Sequence, residues 1–527
     1  MAEASRSTTR VTLDGPTVPG LVVRALRRHP ERMAFVQDGG EALSYRATLA
    51  LIGRMQAALA ATGEQPLRLA LISANRAEAW CAEVAAQALG GLTTWLHPMA
   101  SLTDQVAQLQ DAQANALLVD AAAYHDRGGE LAARCPGLKT VWTLGPAGFG
   151  TDLIASAASM GEASVRDLSH PNGVATLGYT GGTTGRSKAA IRRQRQQAAI
   201  ALAILTDFEL PLAPRYLAAA PISHVGGTKV LPTLLRGGTV HLLKSFDPEQ
   251  LLATVERERI NMTLLVPTMV YKLLDHPALS QTDTSSLELL LYGASPMSPT
   301  RLVEGIERFG PVFSQLYGQT ECYPISLLRK ADHDPQRPEL FASCGAPVSN
   351  CEVRLLDDDM NEVPPGEAGE ICVRAPQAME SYWGRPELTA EALAGDWLHT
   401  GDIARQDDRG YLFIVDRKKD MIVSGGFNVY PREIEDVLTS HPAVAMAAVI
   451  GVPDAKWGEA VAAVVVRKPG AVVDEDALVR LVKEHKGSQQ APKRVDFVDA
   501  LPLTALGKID KKQLREPHWA GQARRVG

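Results

Sequence analysis

The sequence predicts an α/β fold with a second, smaller α+β unit, on three observations. Short β-like runs alternate with helical patterns through most of the first 350 residues, the signature of helices layered on largely parallel sheets. After about Asn350 the texture changes to short strands and turns. From about Arg417 onward, two apolar strands and two amphipathic helices make a compact unit, joined to the rest near "DRKKD" (416–420). No internal repeat is present.

Taken in order, "RATLALIGRMQAALAATG" (46–63) reads as an amphipathic helix closed by Gly63, and "RLALIS" (68–73) as a buried strand. "AEAWCAEVAAQALGG" (77–91) is a second helix ended by glycines. Further strands are expected at "ALLVD" (116–120), "GVATLG" (173–178), "TVHLL" (239–243), "MTLLV" (262–266) and "LELLLYG" (287–293). In the stretch 351–375 the cluster "PPGEAGE" is a turn by composition. The terminal unit consists of a helix from "YPREIEDVLTSHP", strands "AVAMAAVIGV" and "AVAAVVVRKPG", and a helix "DEDALVRLVKEH".

Chemistry concentrates in "YTGGTTGRSKA" (179–189), directly behind a predicted strand. Bare backbone at Gly181, Gly182 and Gly185 lets N–H groups approach a phosphate chain, while Thr180, Thr183, Thr184, Ser187 and Lys188 add donors and charge. A flexible surface turn has the same composition. The loop is not the P-loop of nucleoside triphosphatases, whose lysine follows glycine directly; here Arg186 and Ser187 intervene.

Six further motifs follow: "PISHVGG" (221–227), "YGASPMS" (292–298), "QLYGQTE" (315–321), "HTGDIA" (399–404), "DRKKDMIVSGGFNVYPREIE" (416–435) and "LPLTALGKIDK" (501–511). In this order, over residues 20 to 512, the set resembles the adenylate-forming superfamily of AMP-binding enzymes, in its acyl-CoA synthetase branch. The resemblance implies a large N-terminal domain (1–416) of two α/β-layered sheets plus a small β-barrel-like part. It also implies a mobile C-terminal lid (417–527). The implied reaction joins a carboxylate to ATP as an acyl-adenylate, with release of pyrophosphate, and then passes the acyl group to coenzyme A.

Residue by residue, the resemblance gives Lys508 the role of the cation between carboxylate and α-phosphate, Glu321 that of magnesium ligand, and Thr184 and His224 roles at the reacting centre. Thr180, Gly181, Gly182, Thr183, Thr184, Gly185 and Lys188 would cradle the β- and γ-phosphates. Gly293, Ala294, Ser295, Tyr317 and Gly318 would line the adenine, Thr320 would bond the α-phosphate, and Asp402 and Arg417 would hold the ribose. His224, Val225, Gly226, Gly227, Gly293, Gly318, Gln319 and Cys322 would form the acyl pocket. Lys419 would be the pivot, with Ser424, Gly425 and Gly426 admitting the pantetheine arm.

No acidic residue occurs from Pro221 to Leu235, where amino-acid-activating relatives pair the substrate ammonium, so amino acids are disfavoured. Gly226, Gly227, Gly293, Ala294 and Gly318 suggest room for an apolar acid of some bulk: aryl, fatty or polycyclic. No carrier domain or attachment serine is read after Lys508, so the thiol is expected in trans. Three readings stay open beside the CoA ligase: loading of a separate carrier protein, the thioesterification half-reaction alone, and a non-catalytic adenylate sensor. Ser187, Ala189 and Gln194 depart from the family pattern, and the arginines of "AAIRRQRQQ" (189–197) are expected on a solvated helix face.

Composition agrees with this class. Apolar residues at 45% and charged residues at 22% are ordinary for a globular protein, and a net charge of -6 argues against nucleic acid. The six cysteines lack C-x-x-C spacing, fitting a reducing compartment and neither disulfides nor zinc. The start has no signal-peptide core, and no stretch reaches the roughly 18 apolar residues of a membrane helix, so no stable membrane insertion is expected. The expected location is cytoplasmic, with small molecules as partners and a homodimer left open.

Overall fold

Helices with one apolar face set the layers. In Tyr45–Ala60 the buried Leu51, Ile52, Met55 and Leu59 share one side of a 3.6-residue period, and Ser44 Oγ caps the start by accepting from Ala47 N at 3.1 Å. Gly63, at φ +71°, follows the helix end in the left-handed conformation glycine adopts cheaply. Inside the same helix a Cβ at Gly53 would lie 2.0 Å from the Ala163 carbonyl oxygen, so the helix runs directly against that segment. The computed structural model describes residues 15–37, 39, 42–180, 188–418, 420–424, 427–454, 456–504 and 508–519.

Two large sheets carry the first part of the chain. The seven-stranded sheet runs Thr151–Asp152, Thr140–Leu144, Ala116–Asp120, Arg68–Ile72, Leu92–Trp95, Val174–Tyr179, Ala189–Arg193, parallel except for its last pair. The nine-stranded sheet is parallel from Phe313–Tyr317 through Leu289–Gly293, Met262–Leu265, Arg215–Ala218 and Thr239–Leu242 to Met33–Gln37, with antiparallel edges. Buried leucines and alanines of both sheets and of Tyr45–Ala60 and Ala77–Ala88 share one core. A buried amide stitches the sheets together. Asn75 Nδ2 donates to the carbonyls of Ala218, Ala220 and Leu243 within 3.1 Å, and its Oδ1 accepts from Ile222 N.

A four-stranded antiparallel sheet follows, Glu352–Leu356, Gly369–Arg374, Leu398–Gln406 and Leu412–Arg417. The last part is a sheet of Phe427–Val429, Ile422–Ser424, Gly458–Arg467 and Val444–Asp454, with Arg494–Phe497 parallel beside Gly458–Arg467. Helices Pro431–Ser440 and Glu475–Lys486 bury Ile434, Leu438, Leu478 and Val482 against it. The mixed α/β class and the small terminal α+β unit are as the sequence predicts.

One local expectation is overturned. Residues Ala189–Arg193 are a strand paired antiparallel with Val174–Tyr179, and the helix starts only at Gln194. Arg192 and Arg193 therefore lie on a strand and turn inward. Both are half-buried, Arg193 paired with Glu380 and Arg192 reaching the carbonyl of Thr320. Among the described residues no helix is long and apolar enough to cross a membrane.

Candidate active site

The named side chains gather at the carboxyl ends of parallel strands, where ligands of open α/β sheets bind. Tyr179 and Thr180 follow one strand, Gly293 to Ser295 another, and Tyr317 to Glu321 a third. The two sheets touch there: a Cβ on Gly178 would lie 3.0 Å from Thr320 Cγ2. Thr180 N donates to Lys188 O at 2.9 Å, joining the two ends of the glycine-rich stretch. Its residues 181–187, including Gly181, Gly182, Thr183, Thr184 and Gly185, lie outside the described residues. Ala294 holds φ +66°, uncommon for a residue with a Cβ.

Asp402 is the hub of one half of the site. Its carboxylate is 5% exposed and accepts from Tyr317 Oη at 2.7 Å and from Gln319 Nε2 at 2.6 Å, with Arg417 Nε 3.4 Å away. Burial, and then the Asp402 charge, push the Tyr317 phenol up, so it stays a donor. Behind Asp402, Gly401 N donates to Glu370 Oε1 at 2.9 Å, and Glu370 Oε2 lies 3.5 Å from Lys418 Nζ. Glu370, Cys372 and His399 crowd together on this sheet, but Lys418 already neutralises the carboxylate and burial pushes the Cys372 thiol up to about 12.

Glu321 is the hub of the other half. Tyr382 Oη donates to Glu321 Oε1 at 2.6 Å, and Met379 N to the Glu321 carbonyl at 2.6 Å. Lys188 Nζ sits 5.1 Å from the Tyr382 ring centroid, joining the phosphate loop to this acid through one aromatic. Arg192 donates through Nη2 to Thr320 O and, at 3.5 Å, toward Gln319 O, while its covered Nε has no partner among the described residues. Tyr382 and Arg192 lie far from residues 317–321 in sequence, and nothing local to either announces the contact.

The segment 221–227, expected at the acid, brings a second histidine. His97 stacks edge-on against His224 with ring centroids 4.5 Å apart, and Ser223 Oγ lies 2.7 Å from His224 Nδ1. Burial, reinforced by His97, pushes His224 down to about 3, so its imidazole is neutral at working pH. The glycines here do not measure room. A Cβ on Gly227 would lie 1.8 Å from Ile222 O, on Gly293 2.3 Å from Leu316 O, and on Gly318 2.8 Å from Tyr323 Cδ2. Close backbone approach explains them, which corrects the inference of a large pocket from their number. Cys322 is fully buried beside Ala190 and Ile325 and exposes no surface to a ligand; Val225 and Gln319 stay half-buried.

In the terminal unit, Lys508 O accepts from Thr504 N at 2.7 Å, beside the Leu503–Ile509 bridge. Ser424 pairs with Gly458, beside a half-exposed Trp457 that carries Lys456 Nζ 4.7 Å over its ring. Lys419, Gly425 and Gly426 lie outside the described residues.

Comparison with known proteins shows the family of the chain. The profile of the AMP-binding enzyme family matches residues 22–383, and that of the AMP-binding enzyme C-terminal domain matches 433–508. The chain is a member of the AMP-binding enzyme family, in its acyl-CoA synthetase branch. It is 44% identical to a medium/long-chain-fatty-acid–CoA ligase of Mycobacterium tuberculosis, over 98% of this chain and 92% of that one. It is 42% identical to a feruloyl-CoA synthase of an Amycolatopsis species, over 65% of this chain and 69% of the other. Among solved structures, the amide bond synthetase McbA from Marinactinospora thermotolerans superposes with a TM-score of 0.88 at 35% identity, covering 94% of this chain and 99% of that one.

Proposed function

We propose that this AMP-forming acid–thiol ligase activates an apolar carboxylic acid with ATP and transfers the acyl group to coenzyme A. The observation that carries the reading is the pair of acidic hubs at one sheet junction: Asp402 with Tyr317, Gln319 and Arg417, and Glu321 with Tyr382 and Lys188. A buried carboxylate already accepting two hydrogen bonds suits the paired hydroxyls of a ribose.

In the first step a carboxylate oxygen attacks the α-phosphorus, the bond from that phosphorus to the bridging oxygen breaks, and pyrophosphate leaves. In the second a thiol sulfur bonds the acyl carbon, AMP leaves, and the thiol proton passes to solvent. Both anions of the first step need neutralising where water is scarce; at 4 Å a charge pair is worth about 1 kcal/mol in water and roughly 4 at an effective dielectric of 20. We assign that task to Lys508, delivered by the terminal unit acting as a lid that pivots at Lys419. Thr320 bonds the α-phosphate, and the loop 180–188, with Thr184 and Lys188, holds the β- and γ-phosphates. Glu321 fits a magnesium ion: it is a hard oxygen donor, half-exposed, with one oxygen held by Tyr382 and the other left to a cation. Magnesium would supply charge neutralisation on the phosphates.

The neutral His224 and the absence of acid from 221–235 support an apolar acid over an amino acid. Ser424, Gly425 and Gly426 would admit pantetheine, and six unpaired cysteines agree with residence in the cytoplasm. The test is pyrophosphate release with ATP, magnesium and a panel of fatty, aryl and polycyclic acids, with and without CoA. Acid-dependent release that yields acyl-CoA is expected. The likeness to an amide synthetase makes amines a third arm, and turnover with amines alone would overturn the assignment of CoA as acceptor.

A further inference from the structure

Lys229 ends the short turn Gly227–Lys229, two residues beyond the glycines of the acid-binding segment, and its side chain is fully buried. Its amine donates to Thr228 Oγ1 at 2.9 Å and to Tyr323 Oη at 2.5 Å, with the rings of Tyr323 and Phe208 at 4.8 and 5.3 Å. Among the described residues no carboxylate pairs with it, and burial alone holds its pKa well below the ordinary lysine range. Such a group is expensive to keep. A buried amine costs free energy even when neutral and hydrogen-bonded, and an apolar side chain of similar volume avoids that cost. A buried amine held by two hydroxyls in an apolar wall therefore points to a use other than holding the fold.

Its position says what use. Lys229 N donates to Gly226 O at 3.3 Å, Thr228 Oγ1 to Val225 O at 2.7 Å, and Tyr216 Oη to Gly226 O at 2.9 Å. Tyr323 in turn packs against Gly318, where an added Cβ would meet its ring at 2.8 Å. Lys229, Thr228 and Tyr323 thus form a polar island in an otherwise apolar wall. It backs onto both chain segments assigned to the acid, 224–227 and Gly318. His224 and His97 on the same wall are held neutral by burial and supply no counter-charge.

We propose that Lys229, with Thr228 and Tyr323, determines specificity by receiving an oxygen at the far end of the carboxylic acid, so that the substrate class is an apolar acid with a distal carbonyl, hydroxyl or second carboxylate. The proposal rests on the CoA ligase reading above. A substrate oxygen takes the acceptor position that Tyr323 Oη or Thr228 Oγ1 fills in the ligand-free protein; no bond is made or broken. A methyl group in the same place would leave the amine without that acceptor. Sites built to hydrogen-bond a substrate oxygen reject the analogue lacking it far more strongly than apolar pockets reject a methylene.

The test compares wild type, Lys229→Met and Lys229→Gln for CoA-dependent pyrophosphate release on matched acids: octanoate against octanedioate, and cinnamate against para-hydroxycinnamate. Wild type is expected to favour the oxygenated member of at least one pair by about tenfold or more in kcat/KM. Lys229→Met should bring that ratio near unity through KM for the acid while leaving KM for ATP unchanged, and Lys229→Gln should keep part of it. The thermal midpoint of Lys229→Met should equal or exceed that of wild type. A midpoint that drops, or a variant that does not fold, means that Lys229 is structural and overturns the proposal. So does a ratio that persists in Lys229→Met, or a wild type that prefers the plain acid in both pairs. No release with any acid in wild type would overturn the ligase reading itself; release with a ratio independent of Lys229 overturns only this inference.

Discussion

Asp402→Asn is the sharpest probe of the nucleotide site. The carboxylate accepts from Tyr317 and Gln319 and faces Arg417 at 3.4 Å, while being almost wholly buried. The amide keeps the shape but loses the charge and one acceptor. Hydrogen bonds to a charged partner contribute about 1.5–3 kcal/mol net, and neutral ones about 0.5–1.5. Two ribose hydroxyls that change from a charged to a neutral partner should therefore lose about 2–3 kcal/mol in all. At 1.4 kcal/mol per decade that raises KM for ATP by about 30- to 150-fold. The assay is acid-dependent pyrophosphate release against ATP concentration, repeated with ATP lacking the ribose hydroxyls singly. Wild type should discriminate against the deoxy analogues, and the variant should barely do so. A KM for ATP within about threefold of wild type, below 1 kcal/mol, would refute the ribose assignment. Undiminished discrimination by the variant would refute it equally.

Lys508→Ala should abolish carboxylate-dependent exchange of pyrophosphate into ATP yet spare much thioester formation from supplied acyl-adenylate; equal loss in both assays would remove the lysine from the first step. Arg192→Met frees the carbonyls of Gln319 and Thr320 and should slow adenylation by about 10- to 100-fold through misplacement of Thr320 and Glu321. Lysine should not rescue it, because a point charge cannot replace the planar guanidinium fork; single-turnover adenylate formation is the check. His241 and His333 are 4% and 2% exposed, and burial pushes each down to about 4. The unfolded chain then binds more protons between their folded values and the ordinary 6.5, so stability is full above that range and falls as pH drops. Each histidine should remove about 2 kcal/mol near pH 5 relative to neutrality. Denaturant unfolding at both pH values measures this, and His241→Leu, which replaces a ring whose two nitrogens have no hydrogen-bond partner among the described residues, should flatten its share of the slope.

That Tyr317, Gln319, Asp402 and Arg417 would lie together was legible because the motifs that carry them are short local signatures in fixed order. What the sequence hid is what long-range packing decides. Tyr382 reaches Glu321 from a strand-like segment that bridges to Ala190, and Asn75 joins two sheets from a loop whose sequence is unremarkable. The arginines of 192 and 193 read as solvated because charge predicts exposure on average; here cross-strand pairing with Val174–Tyr179 and the covering of Thr320 turn them inward. The glycines misled for a related reason. A missing side chain means either open space or crowded backbone, and only coordinates separate the two.

The join between the two parts of the chain separates contacts that a turn of the terminal unit would keep from one that it would break. Three successive residues leave the four-stranded sheet in different directions. Asp416 Oδ2 accepts from Arg432 N at 3.1 Å, on the first turn of the terminal unit's first helix. Arg417 faces Asp402, and Lys418 pairs with Asp358 at 2.6 Å and with Glu370, whose other oxygen holds the turn before Asp402. Contacts at 417 and 418 thus belong to the nucleotide side, and that at 416 crosses to the terminal unit. Burial pushes Asp416 up to about 6, opposed by Lys511, which itself bonds Glu435 at 2.8 Å within the terminal unit. Rotation at position 419 would leave the 417 and 418 contacts in place and break the 416 contact, removing Lys511 from Asp416 and returning its carboxyl to water. A bound ribose that fixes Asp402 therefore stiffens the near side of the pivot without opposing the turn itself, which is the mechanical condition a two-step ligase requires.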